Sequence, residues 1–253
     1  MIRNVTEDLV QLGACVEGDH GHEAVRVYVL LNNGRPILID CGSHLHRYSL
    51  MQELEEVLDG STPEYVFLTH TELPHSGNLP QIASRWPDIK VMVSHIMTRY
   101  IEIVPVLPLA QITTVFPDTT LELAGRKFLF LSALLKDQPS THWIYDIKTR
   151  ALFTGDGFGY YHAADKCDQF ADEIAGGIRE EQFRAYQVNV FRHMRWVIPE
   201  KFNADLDKVF QRLDVSILAP THGDAIRTEI PVHLARVKQA VTKISNDFRH
   251  GGR

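Results

Sequence analysis

The chain has 253 residues, 44% of them hydrophobic, which is enough to bury a substantial core. The net charge is −6 and charges of both signs are scattered, so no basic stripe indicates a nucleic-acid partner. The N-terminal segment lacks a basic start, and no apolar run reaches membrane-spanning length, so we expect no membrane partner and a cytoplasmic location.

The three cysteines, Cys15, Cys41 and Cys167, are far apart in the sequence and odd in number. They indicate neither a disulfide framework nor a Cys-x-x-Cys site. The 13 histidines are a more unusual feature, because several of them stand in tight groups.

The first predicted elements are antiparallel strands. Residues 25–31 and 36–40 are β-rich apolar runs, and the intervening Asn-Gly pair is a strong hairpin signal. Apolar residues at helical spacing then predict a helix over 48–58. A strand at 65–68, a helix at 79–86 and a strand at 90–93 follow.

The second half of the chain begins with another set of strands and then becomes helical. The predicted strands are 120–123, 127–131, 143–147, 151–154 and 215–218, and the clearest helices are 202–213 and 231–248. Two runs of strands, each with helices, predict an α/β fold in which two sheets pack face to face with helices outside. We expect this four-layer sandwich to form a single domain over residues 1–253.

Several loops at the predicted strand ends carry side chains that bind metals. The loop THTELPHSGNLP contains His70, Glu72 and His75, and the first two point the same way if the chain is extended. Asp156 lies between two glycines after a strand, and His222 precedes a glycine after another. A single residue of this kind is typical of an ordinary turn. Because open α/β sheets build sites at strand ends, the set together favours a metal site.

The motifs resemble the metallo-β-lactamase superfamily, and within it the diiron domain of flavodiiron proteins. They are the loop pattern His70-x-Glu72-x-x-His75 followed by Ser-Gly, then LFTGDGFG and APTHG. Superfamily hydrolases usually carry His-x-His-x-Asp-His in the first motif, whereas flavodiiron proteins carry His-x-Glu-x-Asp-His. Glu72 therefore discriminates between them. The resemblance covers nearly the whole chain and implies the metallo-β-lactamase-like αβ/βα sandwich.

Two positions depart from the family pattern. Pro74 stands where the family has an aspartate, and its side chain cannot bind a metal. Asp137 aligns with the family's next histidine. His142 is the alternative, because a three-residue hairpin loop at 148–150 would place it directly across from Asp156. We prefer Asp137, since the family's ligand comes from the loop before this strand, and expect His142 to support the ligands or line the pocket.

The resemblance implies a first metal ion held by His70, Glu72 and Asp137. A second ion would be held by His75 and His222, with Asp156 bridging the two. Oxygen donors are the majority on one ion, which favours iron over manganese or zinc.

Asp40, in ILIDCG, matches an aspartate that positions the metal loop by accepting hydrogen bonds. Because Pro74 supplies no ligand, we expect the second ion to bind less tightly unless a nearby loop provides a replacement. The candidates for that replacement are Asp19, His20, His22, Glu23, His44 and His46.

Flavodiiron proteins reduce O2 or NO with electrons from FMN in a C-terminal flavodoxin domain. This sequence shows no flavodoxin-like phosphate loop and no rubredoxin Cys-x-x-Cys pair. We therefore expect no FMN in this chain, a separate flavoprotein as electron donor and, as in the family, a homodimer. Two alternatives are an O2 or NO sensor without turnover and a zinc-dependent hydrolase, although Glu72 and Pro74 disfavour the hydrolase.

Overall fold

The computed structural model describes residues 1–97 and 107–250, and their strands form two sheets. The first sheet has the order β1-β2-β3-β4-β5-β6-β7, with β12 paired to β3. Its strands are β1 (Arg3–Asn4), β2 (Leu9–Gly18), β3 (Gly21–Leu30), β4 (Ile37–Ile39), β5 (Tyr65–Phe67), β6 (Lys90–Ser94), β7 (Ile112–Val115) and β12 (Tyr161–His162). From β4 to β7 the pairing is parallel, whereas β1 to β4 are antiparallel.

The second sheet has the order β13-β11-β10-β9-β8. Its strands are β8 (Thr119–Leu123), β9 (Arg126–Ser132), β10 (His142–Asp146), β11 (Ala151–Gly155) and β13 (Ile217–Pro220). All neighbours are antiparallel except β11 and β13, which are parallel.

The helices pack on the outer faces of both sheets. They are α1 (Arg47–Leu58), α2 (Leu73–Ser76), α3 (Leu79–Arg85), α4 (Glu180–Val190), α5 (Pro199–Arg212) and α6 (Ile230–His250). Val27 and Val29 of β3 belong to a core with α1 and α3, whereas the alternating Tyr28 and Leu30 belong to the core between the sheets. A third core joins the second sheet to α4, α5 and α6. Because successive side chains of a buried strand point to opposite faces, each sheet contributes to two cores. The four layers therefore enclose three cores.

The predicted four-layer α/β sandwich is confirmed. The hairpin between β3 and β4 is antiparallel, and its connection contains Asn33 and Gly34 at positive φ, as the Asn-Gly signal requires. The long β2, together with β1, β7 and β12, is absent from the sequence predictions. No helix in the described ranges is both long and apolar enough to cross a membrane.

Candidate metal centre

Four loops meet at one edge of the sandwich, where parallel strands of both sheets end. Asp40 follows β4, His70 lies shortly after β5, Asp156 follows β11 and His222 lies just after β13. The loops are joined by backbone hydrogen bonds, because the Thr221 N–H donates to the Gly155 carbonyl (2.8 Å). The carboxyl ends of parallel strands thus bring together residues that are distant in sequence.

Close approach of two loops requires a glycine at position 155. Gly155 has φ +57°, and a Cβ there would lie 3.0 Å from Thr69 Oγ1 and 3.2 Å from Thr69 Cβ. A larger residue would therefore push Asp156 away from the loop that carries His70.

The short helix α2 turns the first loop back so that His75 faces the same centre as His70. The Glu72 carbonyl accepts hydrogen bonds from the N–H groups of His75 and Ser76, both at 2.9 Å. Pro74 lies in the first turn of α2, where a missing N–H leaves no hydrogen bond broken. The two imidazole rings consequently lie close together, with centroids 3.7 Å apart and their planes tilted by 42°.

One group of side chains, which we call the imidazole half, consists of His75, His222 and the Oδ1 atom of Asp156. His75 Nε2 lies 2.9 Å from that oxygen and His222 Nε2 lies 3.2 Å from it. The two Nε2 atoms are 3.3 Å apart. All three side chains are buried. Three donors at these separations are close enough to bind one cation with bonds of about 2.0–2.2 Å.

The other group, the carboxylate half, consists of His70, Glu72, Asp137 and the Oδ2 atom of Asp156. His70 Nε2 lies 3.6 Å from that oxygen and 3.8 Å from Asp137 Oδ1. Ligand atoms from all four residues lie within 4.8 Å of one another. Glu72 is exposed and Asp137 is half-buried, so this half opens towards solvent.

A carboxylate supports each ring of the imidazole half at the nitrogen that faces away from Asp156. His75 Nδ1 donates to Asp40 Oδ2 at 2.7 Å, and His222 Nδ1 lies 2.5 Å from Glu23 Oε1. The hydrogen bond to Asp40 fixes the proton of His75 on Nδ1, and the nearby Glu23 carboxylate favours the same tautomer in His222, so that both Nε2 atoms face the centre. Buried Asp40 also accepts hydrogen bonds from the Thr69 and Thr221 hydroxyls, and so connects loops of both sheets.

The ionisation of the site reflects these contacts. Burial opposes charge on both rings, but neighbouring carboxylates raise the pKa of His75 to about 9 and that of His222 to about 10. Burial and the nearby His75 lower the pKa of His70 to about 3. The imidazoles hold the pKa of Asp156 well below its usual range despite its burial.

Asp137 shows the opposite behaviour. Burial, and then the charges of Asp156 and Glu72, raise its pKa to about 7. Crowded carboxylates resist ionisation in this way unless a cation lies among them.

The predicted position of His142 was wrong. The loop between β10 and β11 has four residues, and Asp146 pairs with Ala151, so the register places position 142 opposite Gly155. The His142 ring lies instead towards His95, with centroids 6.3 Å apart. Its backbone N–H still contacts the site, because it donates to the Thr69 carbonyl at 3.0 Å.

Among the candidates for a replacement ligand, the structure brings Glu23 to the centre, where it contacts His222 Nδ1. His22 belongs to a separate cluster described below. The potential metal-binding groups within the described ranges include none of Asp19, His20, His44 and His46.

The supporting threonines were not predicted. The repeated Thr-His pair, Thr69-His70 and Thr221-His222, was the sequence signal that could have identified them, since both threonines lie beside histidines at strand ends. Both hydroxyls donate to Asp40.

A two-sheet sandwich with histidines and carboxylates gathered at the ends of its parallel strands defines a metallo-β-lactamase-like protein. A family profile described as "ODP family beta lactamase" matches residues 24–223. The chain therefore belongs to this family.

The similar proteins are flavodiiron proteins. An anaerobic nitric oxide reductase flavorubredoxin from Aeromonas hydrophila is 25% identical over 197 residues, which cover 77% of this chain and 38% of the relative. A nitric oxide reductase from Moorella thermoacetica is 23% identical over 216 residues, covering 81% of this chain and 50% of the relative. The chain thus spans half or less of the length of these curated relatives.

Solved structures show the same fold. Rubredoxin oxygen:oxidoreductase from Desulfovibrio gigas superposes with a TM-score of 0.79 at 20% identity, covering 98% of this chain and 62% of that one. The resemblance to the diiron domain of flavodiiron proteins that the motifs indicated is confirmed.

Proposed function

We propose that the chain holds two iron ions at this centre and binds or reduces O2 or NO there. The observation that carries the proposal is that the two oxygens of the Asp156 carboxylate face different donor groups. Oδ1 faces His75 and His222, while Oδ2 faces His70 at 3.6 Å. A carboxylate that presents one oxygen to each of two donor groups is suited to bridge two cations.

The donor set fits such a pair of ions. His70 Nε2 is buried, has no hydrogen-bond partner in the described part of the chain, and faces two carboxylates. Unpartnered buried nitrogens are costly, and a cation would satisfy this one. The donors are imidazole and carboxylate without thiol, a combination that suits iron, with manganese and zinc as the less favoured ions.

In this assignment His70, Glu72 and Asp137 would hold the first ion, and His75 and His222 would hold the second. Asp156 would be shared by both. Asp40 and Glu23 hold the two rings of the imidazole half in the orientation that leaves Nε2 available. His142 supports the loop through the Thr69 carbonyl and takes no part in binding the ions.

Iron ions bound here would supply electrons and open coordination positions for a diatomic gas. The chain's own residues would hold these positions in place and control access to them. The imidazole half is buried, so a gas would enter past the exposed Glu72 and the half-buried Asp137.

The electrons would come from a separate flavoprotein, a role suggested by relatives named flavorubredoxin and rubredoxin oxygen:oxidoreductase. We further propose a cytoplasmic location and a homodimer. The absence of FMN from this chain and the single-domain organisation stay predictions from the sequence.

The test is metal analysis of protein expressed with iron, followed by gas consumption with a flavin reductase and reductant. We expect more than one but fewer than two irons per chain, because the second ion is held less tightly, and consumption of O2 or NO. Iron with reversible gas binding but no turnover would support the sensor instead. Zinc with hydrolysis of phosphodiesters or lactones would contradict the proposal, as would negligible metal after iron supplementation.

Glu72→Gln provides the matched variant for this experiment. It removes the carboxylate that distinguishes the loop from hydrolase loops, so we expect loss of iron from the carboxylate half and of gas consumption. Glu64→Gln is the control, because it removes a carboxylate whose partner is Arg35, away from the site.

A further inference from the structure

A second cluster of metal-binding side chains lies on the other face of the strand that carries Glu23. In the antiparallel ladder of β2 and β3, Cys15 pairs with Ala24 and Glu17 pairs with His22. His162 of β12 pairs with His22 from the other side. Because side chains of paired residues share a face, Cys15, His22 and His162 lie on the same side of this sheet.

Cys167 completes the group from the loop after a short 3-10 turn, Ala164–Lys166. Its Sγ lies 3.4 Å from His22 Nδ1, and Cys15 Sγ lies 3.3 Å from His162 Nε2. Ligand atoms of Cys15, Cys167 and His162 all lie within 4.8 Å of one another. Residues separated by about 150 positions in the sequence therefore bring two thiols and the His162 imidazole together, with the His22 imidazole beside Cys167.

We propose that Cys15, His22, His162 and Cys167 form a second metal site, which binds Zn²⁺ in a tetrahedral Cys2His2 arrangement. Bonds of about 2.3 Å to sulfur and about 2.0 Å to nitrogen place neighbouring donors roughly 3.4 to 3.8 Å apart. Both measured contacts between sulfur and nitrogen are within a few tenths of an ångström of that separation. Soft thiolates select Zn²⁺, whereas the thiol-free centre described above suits iron.

The charges around the cluster permit a cation. Arg26 Nη2 lies 3.7 Å from Cys15 Sγ and would by itself repel a metal ion. However, its guanidinium is paired with both Asp168 and Asp224 at 3.0 Å. Two carboxylates exceed the one positive charge, and a Zn²⁺ ion neutralises two thiolates, so the site as a whole would not be positive.

The site would also stabilise the neighbouring centre. His22 and Glu23 are adjacent on β3 and point to opposite faces, and Glu23 contacts His222. A metal ion at the Cys2His2 site would join β2, β3, β12 and the loop that carries Cys167. It would thus fix the end of β3 from which Glu23 supports the imidazole half.

The test is titration of the reduced, metal-free chain with Co²⁺, which reports sulfur ligation through an intense thiolate-to-metal absorption in the near ultraviolet. We expect this band to saturate at one Co²⁺ per chain and to disappear when Zn²⁺ is added. The double variant Cys15→Ser and Cys167→Ser should lose the band. The control Cys41→Ala should retain it, because Cys41 lies in a different core.

Two further variants separate this proposal from folding and from the iron centre. His162→Ala keeps both thiols and should weaken Co²⁺ binding by about 100-fold or more, with far-ultraviolet circular dichroism unchanged. His70→Ala should leave the band intact, because it alters only the other centre.

The proposal is overturned if the parent chain gives no thiolate band, or if the band survives the double substitution. It is equally overturned if Zn²⁺ fails to protect Cys15 and Cys167 of the reduced chain from diamide, an oxidant that takes two electrons and two protons from the thiols and joins them as a disulfide. None of these outcomes depends on whether the other centre binds iron.

Discussion

The imidazole half and the carboxylate half share Asp156 but are supported differently. In the imidazole half both rings are buried, and Asp40 and Glu23 hold their outer nitrogens. In the carboxylate half Glu72 is exposed, and its carboxylate accepts a hydrogen bond from Gln138 Nε2 at 3.1 Å. Asp137 accepts one from the backbone N–H of Gln138 at 2.8 Å.

The two halves therefore differ in two separate properties: how firmly their side chains are held, and how many ligands they offer. The imidazole half has fewer ligands but is held in place before a metal binds, whereas the carboxylate half has more ligands and a mutual repulsion that a cation relieves. The carboxylate half, which opens to solvent, is therefore the half whose ligands can adapt to a metal ion. The following variants test whether the two halves behave as independent sites.

The largest effect is expected from Asp156→Asn, because this residue serves both halves. The amide keeps the shape of the side chain but removes its charge, so we expect iron to fall from more than one per chain to well below one. The iron content is measured by metal analysis after iron loading, and thermal unfolding verifies that the variant is folded. Two tightly bound irons in the variant would mean that Asp156 does not bridge them.

His222→Ala should empty the imidazole half alone. We expect one iron per chain, held in the carboxylate half. The reciprocal variant Asp137→Ala should leave one iron in the imidazole half, and its spectrum should differ from that of His222→Ala. If either single variant loses both ions, the halves are not independent.

Asp40→Asn removes support without removing a ligand. We expect affinity in the imidazole half to fall about 10- to 100-fold, since partners that orient metal-binding imidazoles have effects of this size. The protein should also lose about 2 kcal/mol of stability, because charged hydrogen bonds to Thr69 and Thr221 are weakened.

Glu23→Gln is the matched comparison for Asp40→Asn. Glu23 is half-buried, whereas Asp40 is fully buried and also binds Thr69 and Thr221, so the loss of Glu23 should weaken metal binding less. Competitive chelator titration measures both affinities. An equal or larger effect of Glu23→Gln would reverse the order of importance that burial suggests.

The smallest effect is expected from Pro74→Asp, which adds a carboxylate beside His75. The first turn of a helix tolerates aspartate, so α2 should persist. If the second ion is weakly held, its affinity should rise about 10-fold and iron content should approach two per chain. A full two irons in both the parent and the variant would disprove the expected weakness of the second ion.

The local elements were predictable because they depend on local patterns. Strands β4, β5, β6, β9 and β11 and helices α1, α3, α5 and α6 all appear within a few residues of their predicted positions. The strand β2 was not predicted, since Gly13 and the polar residues in LVQLGACVEG interrupt its apolar alternation. The predicted position of His142 opposite Asp156 was wrong by one residue of register, which turn geometry sets and sequence spacing does not.

The sequence by itself determined the strand ends at which His70, Glu72, His75, Asp156 and His222 lie, because apolar runs and glycine turns mark strands locally. Only the tertiary structure decided which distant side chains meet. It brought Glu23 to His222, Thr221 to Asp40, and Cys15 to the neighbourhood of Cys167. Such contacts depend on sheet order, register and the direction of each side chain, and these are fixed when the two sheets pack together.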